Sequence, residues 1–415
     1  MNASLISHRA SAINGSGIRR VFDLGSRLPD PINLSIGQPD FPVPDSIKQA
    51  AVQAILNNDN GYTPTRGIKP LLEGIAAHLR TDLGWDIPLQ PVPTDLHCGV
   101  AGGVAGPVRP DLLVTSGTSG GLVLAAMALL NPGDELIVPD PWFVLYPHLA
   151  ELCNAKAVAC DTYPDFRLTA ARVAPLITSR TKAVILCSPG NPSGVVATPA
   201  ECADLLALCE SRGIMLISDE IYDEFTFSES LTDHAVGDAS RVRCPSPARI
   251  EGSHEHCLLI RGFGKSYGVT GWRLGYAAGP RWLIAEMVKL QQYLYVCVPT
   301  PLQHGAAAAL HEDLSPMVRE YQGRRDMVLS RLGKVTEVAF PGGAFYAFVK
   351  VPERLGLTAS QFFERAYAAN VLIVPGKTFS NHDTHFRLSF ATKPAKLDQG
   401  LDILGRLLAG DDVGG

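Results

Sequence analysis

The stretch Arg261-Gly-Phe-Gly-Lys265-Ser-Tyr-Gly-Val-Thr-Gly-Trp-Arg273-Leu-Gly275 follows an apolar run, residues 257–260, that has the composition of a buried strand. Gly262 and Gly264 leave the backbone free to bend sharply after this strand. A lysine held on such a turn, in a partly dry site, can lose its proton and act as an amine nucleophile. The arginine eight residues later can grip a phosphate with two hydrogen bonds. Taken alone, Lys265 is most simply a surface lysine. A reactive amine beside a phosphate clamp suggests pyridoxal phosphate, which carries an aldehyde and a phosphate on one ring.

Apolar runs alternate with helical patterns from residue 111 onward. The predicted strands cover residues 112–115, 135–138, 183–187, 214–218, 257–260 and 275–278. Continuous apolar strands separated by helices are typical of a parallel sheet that is buried on both faces. A chain of 415 residues is longer than one hydrophobic core usually serves. We therefore predict an α/β fold whose large domain, residues 47–299, has a mostly parallel central sheet flanked by helices. Residues 1–46 and 300–415 are predicted to form a smaller α+β domain.

The pattern between and after these strands predicts helices near residues 46–56 and 71–83 and a long helical zone over 280–332. One helix of that zone is expected to join the two domains. Two polar stretches, residues 88–110 and 228–256, interrupt the alternation. The first contains five prolines and four glycines, no strand precedes it and it does not fit a nucleotide-binding loop, so we interpret it as a surface insertion.

Composition excludes several classes of protein. The net charge of −5 gives no electrostatic reason to expect binding to nucleic acid or to an anionic membrane. Nine cysteines without a CxxC pair suggest reduced thiols and a cytoplasmic location, and the N-terminus lacks an apolar signal core. One charge-free run, residues 112–133, is long enough to cross a membrane, but its Gly- and Ser-rich first half favours a buried strand, loop and helix.

Polar and aromatic residues follow the predicted strands, where open α/β sheets bind ligands. Ser116-Gly-Thr-Ser-Gly-Gly comes before a helix whose N-terminus could hold a phosphate, although a plain turn is the simpler reading. The aromatic residues of Pro139-Asp-Pro-Trp-Phe-Val-Leu-Tyr146 could stack on a flat ring or could belong to the core. Ser188-Pro-Gly-Asn191 is first of all a turn, and Asn191 could also place an amide in the site.

Asp219-Glu-Ile-Tyr222 follows the strand predicted at residues 214–218. A carboxylate opposite a pyridine nitrogen holds that nitrogen protonated, so that the ring takes up electrons. Tyr222 is expected on the same helical face as Asp219, three residues away, where it could donate to a ring hydroxyl. Asp219 could instead, or in addition, cap a helix.

Together these segments resemble class I aminotransferases of the pyridoxal-phosphate fold type I superfamily, to which aspartate aminotransferase belongs. They occur in the family's order over roughly residues 20–395. The matching segments are Leu34-Ser-Ile-Gly37-Gln-Pro-Asp-Phe, Tyr62-Thr-Pro-Thr-Arg-Gly, Val114-Thr-Ser-Gly117-Thr-Ser, Pro139 to Tyr146, Ser188-Pro-Gly-Asn191-Pro-Ser-Gly, Asp219-Glu-Ile-Tyr222, Gly264-Lys265 through Arg273-Leu-Gly-Tyr, and Phe386-Arg387-Leu-Ser.

The resemblance implies roles for individual residues. Lys265 would hold the cofactor as an internal aldimine and then move the substrate proton, while Asp219 would pair with the ring nitrogen and Tyr222 would bind the ring hydroxyl. The other implied roles are ring stacking by Phe143 with Trp142 beside it, hydrogen bonding to the ring hydroxyl by Asn191, phosphate binding by Gly117, Thr118, Ser119 and Arg273, phosphate binding across a homodimer interface by Tyr62, and substrate carboxylate binding by Arg387 with Gly37 and Asn191.

The chain also departs from the family. A serine that usually lies three residues before the lysine and donates to the phosphate is Gly262 here, and the serine often next to the lysine is Gly264. We therefore expect weaker cofactor binding unless Arg261 compensates. His254-Glu-His-Cys257 contains four potential metal ligands, but on a strand they would point in opposite directions, so we predict no metal site.

The resemblance implies transfer of an amino group from an L-amino acid to a 2-oxo acid by a ping-pong mechanism, in amino-acid metabolism and biosynthesis. Dicarboxylate-specific relatives carry a cation where this chain has Tyr295 or Ser119, although Arg19, Arg20 or Arg66 could substitute. We therefore favour a neutral or aromatic donor, with 2-oxoglutarate or pyruvate as acceptor. A lyase on the same scaffold, of the cysteine-S-conjugate β-lyase or aminocyclopropane-carboxylate synthase type, is the alternative. A regulatory ligand-binding protein is disfavoured because the segment before Ile32 leaves no room for a DNA-binding module.

Overall fold

A computed structural model describes residues 5–89, 109–233 and 242–411. Its strands are β1 Ile32–Asn33, β2 Pro110–Thr115, β3 Glu135–Asp140, β4 Lys156–Asp161, β5 Thr181–Cys187, β6 Met215–Asp219, β7 Thr232–Asp233, β8 Val242–Arg243, β9 Cys257–Gly262, β10 Gly275–Pro280, β11 Tyr346–Lys350, β12 Val371–Leu372, β13 Val374–Pro375 and β14 His385–Ser389. Its α-helices are α1 His8–Ala12, α2 Gly17–Gly25, α3 Asp45–Leu56, α4 Lys69–Leu83, α5 Gly117–Leu129, α6 Leu145–Leu152, α7 Ala170–Val173, α8 Pro199–Arg212, α9 Phe263–Ser266, α10 Arg281–Leu294, α11 Thr300–Ala309, α12 Ser315–Leu332, α13 Ala359–Ala368 and α14 Pro394–Ala409.

Seven strands form the central sheet in the order β2-β10-β9-β6-β5-β3-β4. Strand β10 runs antiparallel to β2 and β9, and the pairs from β9 to β4 are parallel, so the predicted α/β fold with a mostly parallel sheet is confirmed. All six predicted strands are present. The prediction missed β4, an edge strand whose residues are mostly not fully buried and therefore lack a continuous apolar run.

The central sheet is buried because alternate strand residues point to opposite faces. In β2, Leu112 and Val114 join a core with α3, α4, α8 and α11. Leu113 joins a second core with α5, α6 and α10 on the other face. This two-sided burial explains why the strands read as unbroken apolar runs in the sequence.

A third core joins the two ends of the chain. Strand β1 pairs in parallel with β12, and β11, β14 and β13 form a separate antiparallel sheet covered by α12, α13 and α14. The predicted helical zone over 280–332 consists of α10, α11 and α12. The domain boundaries given from the sequence remain a prediction.

Most of the first predicted insertion, residues 90–108, lies outside the described residues. The described part of the second contains the antiparallel pair β7–β8 and short 3-10 turns. The run suspected of crossing a membrane is divided between β2 and α5, and no helix in the described part of the chain is both long and apolar enough to cross a membrane.

Candidate active site

Polar side chains meet at the carboxyl-terminal edge of the central sheet, around a cavity of about 280 Å³. Eleven of the twelve residues predicted for the site line this cavity, namely Gly37, Gly117, Thr118, Ser119, Phe143, Asn191, Asp219, Tyr222, Lys265, Arg273 and Arg387. Tyr62 does not line it and is 88% exposed on the surface. The charged lining groups are Lys265, Arg273, Arg387 and Asp219, so the cavity favours an anionic ligand.

Lys265 lies on the short helix α9, directly after β9. Its Nζ donates a hydrogen bond to the carbonyl oxygen of Gly37. Burial lowers the pKa of Lys265 to about 8, and the positive charges of Arg387 and Arg273 add to this effect. A neutral amine is therefore accessible near neutral pH, as a nucleophile or a proton acceptor requires.

Asp219 is the last residue of β6 and lies beside Cys187 of β5. Its Oδ2 accepts a hydrogen bond of 2.7 Å from the buried hydroxyl of Tyr146, and Oδ1 accepts a longer bond of 3.3 Å from the backbone of Ile221. Burial raises the pKa of Asp219 to about 6, against the lowering effect of these two bonds. Tyr146 thus helps to keep a buried carboxylate ionised at neutral pH.

Tyr222 is not on a helical face shared with Asp219, contrary to the sequence prediction. The chain turns after β6, and a 3-10 helix begins only at Asp223. The turn still brings both side chains to the cavity, where the Tyr222 hydroxyl lies 3.1 Å from that of Tyr346. The prediction assumed a helix, whereas a tight turn after the strand brings the two side chains to the cavity.

The N-terminus of α5 forms one end of the cavity, and its first residue is Gly117. Gly117 has a φ of +67°, and a Cβ there would lie 2.6 Å from Nη2 of Arg273. The glycine therefore lets a guanidinium approach free backbone N–H groups at a helix N-terminus, where Thr118 and Ser119 also lie. This combination is suited to a phosphate.

Arg387 lies in β14, is buried, and also lines the cavity. Its guanidinium donates to Asn191 Oδ1 and to the Ser35 carbonyl oxygen, each at 3.0 Å, and stacks on Tyr346 and Phe379. Among the described residues it has no carboxylate partner, and its Nε has no hydrogen-bond partner. A buried guanidinium in this state favours a ligand carboxylate.

Arg261 does not lie at the phosphate end of the cavity. Its guanidinium contacts Glu220 at 2.9 Å, Asp82 at 2.8 Å and Asp223 at 3.0 Å. It is therefore committed to carboxylates, and the suggestion that it compensates for the missing serine gains no support from these contacts.

Atoms of neighbouring side chains lie close to the position that a Cβ would take at Gly262. A Cβ at this position would lie 2.8 Å from Cδ1 of Ile221 and 3.0 Å from Cγ2 of Thr118. By contrast, a Cβ at Gly264 would meet ordinary contacts, the nearest at 3.4 Å. Packing thus accounts for the glycine at position 262 but not for the one at 264.

The sequence indicated no individual site role for several lining residues, namely Ile18, Tyr146, Cys187, Ile221, Thr270, Leu274 and Tyr346. Tyr146 closes the aromatic run that begins at Pro139, so its position after a strand was a usable signal. Nothing local distinguishes Tyr346, because it reaches the cavity only through the packing of β11 on β14.

The cations proposed as substitutes in a side-chain pocket do not line the cavity. Arg66 bonds Asp111 at 2.5 Å, and Arg19 pairs with Asp23 at the surface. Arg20 lines a neighbouring groove beside Trp142. In the described part of the chain no group of His, Cys, Asp and Glu could hold a metal, and Ser253–Glu255 forms a 3-10 helix rather than the expected strand.

Comparison with known proteins identifies the family. Residues 29–404 match the family described as aminotransferase class I and II. The chain belongs to this family. It is similar to aromatic-amino-acid aminotransferase 2 of Thermococcus litoralis, with 31% identity over 97% of this chain and 98% of the relative. It is similar to the aspartate aminotransferase of Pyrococcus abyssi, with 32% identity and the same coverage of both chains.

Solved structures give the same result. The aspartate aminotransferase of Thermus thermophilus with maleate has a TM-score of 0.83 and 30% identity, over 97% of this chain and 99% of that one. The aromatic aminotransferase of Pyrococcus horikoshii has a TM-score of 0.80 and 31% identity, over 94% and 99%. The protein is therefore a pyridoxal-phosphate-dependent aminotransferase with the aspartate aminotransferase fold.

The residues around the cavity fit this cofactor. Gly117 leaves the space for a phosphate cradle that any Cβ would fill, and Lys265 offers an amine of lowered pKa. Asp219 supplies a buried carboxylate and Phe143 an aromatic face. A group with an aldehyde, a ring nitrogen and a phosphate thus meets a complementary partner at each point.

Removing the Tyr146 hydroxyl is expected to shift the pH dependence of cofactor binding. Asp219 takes up a proton below about pH 6 in the free protein, so binding of a protonated ring should weaken there. Tyr146→Phe removes a bond that lowers this pKa. The pH below which cofactor binding weakens should therefore rise by about one unit, because a hydrogen bond to a charged group contributes about 1.5–3 kcal/mol. Fluorescence titration of cofactor-free protein with pyridoxal phosphate at several pH values locates this pH. Tyr163→Phe is the control, since that hydroxyl bonds Ser380 away from the cavity. If this pH is the same in Tyr146→Phe as in the unaltered protein, the role given to the Tyr146 hydroxyl is refuted.

Restoring the family's serine should not by itself improve cofactor binding. Gly262→Ser is expected to destabilise the protein by about 0.5–1.5 kcal/mol, because the terminal methyl of Ile221 must turn away from the new side chain. Gly264→Ser should be close to neutral. Adding Ile221→Val to Gly262→Ser removes the clashing Cδ1 and should recover the stability and tighten cofactor binding. Thermal unfolding and cofactor titration of the four proteins measure both effects. Full stability of Gly262→Ser alone would show that packing does not require the glycine.

Proposed function

We propose that this aminotransferase takes the amino group of a neutral or aromatic L-amino acid and transfers it to a 2-oxo acid by a ping-pong mechanism. The observation that carries the proposal is a single cavity in which Lys265, with its lowered pKa, and Arg387, without a carboxylate partner among the described residues, both face the ligand space. One guanidinium beside one reactive amine supports binding of the two substrates in turn at the same place.

The preference for neutral or aromatic donors rests on the rest of the lining. Ile18, Phe143, Ile221, Leu274 and Tyr346 provide apolar or aromatic surface. Arg19, Arg20 and Arg66 lie outside that lining, as described above. Relatives with aspartate and aromatic names have nearly equal identity to this chain, so their names do not decide between the substrates.

Arg387 is proposed to bind the substrate α-carboxylate, with Asn191 and Gly37 beside it. The stacking of its guanidinium between Tyr346 and Phe379 fixes the plane in which two N–H groups can meet a carboxylate. The same residue would bind the oxo acid in the second half of the reaction, because both substrates carry a carboxylate next to the reacting carbon.

Lys265 is proposed as the group that holds the cofactor and moves the proton. When bound, pyridoxal phosphate supplies an aldehyde that captures the substrate amine and a ring that takes up electrons. Once it is free, the Nζ of Lys265 removes the proton from the substrate α-carbon and then returns it to a different carbon atom. Its pKa near 8 keeps a usable fraction of the amine neutral.

The other residues are proposed to orient the cofactor and tune its charge. Asp219 would hold a proton on the ring nitrogen by supplying the negative charge, with Tyr146 fixing its direction. Tyr222 and Asn191 would bind the ring hydroxyl, and Phe143 would cover one ring face. Gly117, Thr118, Ser119 and Arg273 would hold the phosphate at the N-terminus of α5.

We also propose a homodimer in which Tyr62 reaches the phosphate of the neighbouring subunit. Tyr62 is 88% exposed in the single chain, and further exposed apolar side chains lie at the end of α10, Tyr293 and Leu294, and just after it, Val296. Tyr295 lies next to Gly120 of the phosphate-binding helix, so this surface adjoins the site. A cytoplasmic location and a role in amino-acid biosynthesis complete the proposal; the eight cysteines in the described part are free thiols.

A half-reaction screen tests the reaction and the donor class. The loaded protein is mixed with single L-amino acids in the absence of any oxo acid, and the absorbance of the bound cofactor is followed. Neutral or aromatic donors should convert one equivalent of cofactor and then stop, and aspartate should react more slowly. Lys265→Ala should lose about a hundredfold or more of the rate. Continuous release of pyruvate and ammonia would instead establish a lyase, and a faster reaction with aspartate would reverse the donor assignment.

The composite site predicts a cofactor-binding defect in a surface variant. Tyr62→Phe should weaken pyridoxal phosphate binding about tenfold, because one hydrogen bond to a charged phosphate is lost. Tyr293→Phe, which is equally exposed, should leave the dissociation constant unchanged. Sedimentation of both variants should give a dimer. A monomeric protein that binds the cofactor normally would contradict the proposal.

A further inference from the structure

The second insertion ties distant parts of the chain together. We call its described residues, 228–233 and 242–256, the strap. At one end Glu229 pairs with Arg325 of α12 at 2.7 Å, and Ser228 exchanges hydrogen bonds with Gln322. Arg325 is fully buried and stacks on Phe227. This end is therefore anchored on the helix that follows α11.

At its other end the strap enters the interior beside α4. Arg249 donates to Asp82 Oδ1 at 2.6 Å, and Arg243 pairs with the same oxygen at 3.1 Å. Arg261 of β9 pairs with the second oxygen, Oδ2, at 2.8 Å. Asp82 and Arg249 are both buried. These guanidinium groups hold the pKa of Asp82 far below its usual range, against the effect of burial.

The same network reaches the residue that follows Asp219. The Glu220 carboxylate accepts hydrogen bonds from Arg261 at 2.9 Å, from Ser246 of the strap at 2.5 Å and from Ser218 at 2.8 Å. Strands β6 and β9 are neighbours, with Asp219 opposite Ile260. The network therefore adjoins both the strand that ends in Asp219 and the strand that leads to Lys265.

The charges of the network balance only if the strap is included. Its three guanidinium groups, those of Arg243, Arg249 and Arg261, pair with three carboxylates, those of Asp82, Glu220 and Asp223. Two of the three cations belong to the strap. His78 faces the network as a neutral ring, since burial lowers its pKa to about 4.

We propose that the strap is a positioning element of the active site, which completes the buried network through Arg249, Arg243 and Ser246 and so holds Glu220 and Arg261 beside Asp219 and the Lys265 turn. Without these cations, Arg261 alone would face the buried carboxylates, and an unpaired buried charge is strongly unfavourable. Tyr146 bonds Asp219 and Cys187 lies beside it, whereas Glu220 acts on Asp219 through its charge and is the group through which the network acts.

This proposal rests on the proposed roles of Asp219 and Lys265, and a pH titration of the loaded protein tests it. Arg249→Met removes one cation while keeping much of the side-chain volume. The absorbance of bound pyridoxal phosphate should then titrate at a higher pH, by at least about 0.3 unit, because Arg261 is drawn towards Asp82 and offsets less of the negative charge of Glu220, which favours protonated forms. Arg249→Lys should return the midpoint towards that of the unaltered protein. Ser246→Ala, a smaller change, should shift it in the same direction and serves as the test if Arg249→Met does not fold.

Arg325→Met is the matched control, since it removes a buried arginine from the other anchor of the same strap. It should lower the unfolding temperature without moving the midpoint. Equal midpoints in Arg249→Met, Ser246→Ala and Arg325→Met would show that the strap contributes stability alone and would overturn the proposal. If the bound cofactor has the same absorbance in the unaltered protein and in Lys265→Ala, the proposed role of Lys265 fails. The proposed function then fails, and the strap proposal fails with it.

Discussion

The parallel pairing of β6 with β9 is the constraint on which the active site depends. In this register Asp219 lies opposite Ile260, and the chain leaves β9 two residues later into the helix that carries Lys265. A carboxylate and an amine that are 46 residues apart, by their numbers 219 and 265, are thereby brought to one edge of the sheet. Both strands are buried on both faces, so neither end can shift without disturbing two cores.

Burial of charge then gives the cavity its chemistry. Lys265, Arg273 and Arg387 face one carboxylate, Asp219, so the cavity has an excess of positive charge. Burial lowers the pKa of Lys265 and raises that of Asp219, so both pKa values lie closer to neutral pH than in water. A ligand that brings one phosphate and one carboxylate supplies the missing negative charges. The same preference for anions suits the carboxylate that an amino acid and a 2-oxo acid have in common.

The sequence predicted the sheet well because its strands are buried on both faces and read as continuous apolar runs. Strand β4 at the edge lacks such a run and was missed. Most of the residues that line the cavity were predicted because they follow strand ends, and a resemblance to a known family added the roles proposed for them. Tyr346 could not be found in this way, since only the pairing of β11 with β14 brings it to Arg387. The helical relation assumed for Asp219 and Tyr222 was wrong, because a turn placed them together.

The orientation of Arg261 follows from strand geometry. Successive residues of a strand point to opposite faces, so Arg261 shares its face with Leu259, whose side chain belongs to the core beside α4. Gly262 shares the other face with Ile260, towards α5 and Thr118. The side chain of Arg261 therefore points away from the end of the cavity at the N-terminus of α5, where the phosphate is proposed to bind. Its charge is needed on the α4 side, where Asp82 and Glu220 are buried, whereas a hydroxyl at position 262 would point to the α5 side.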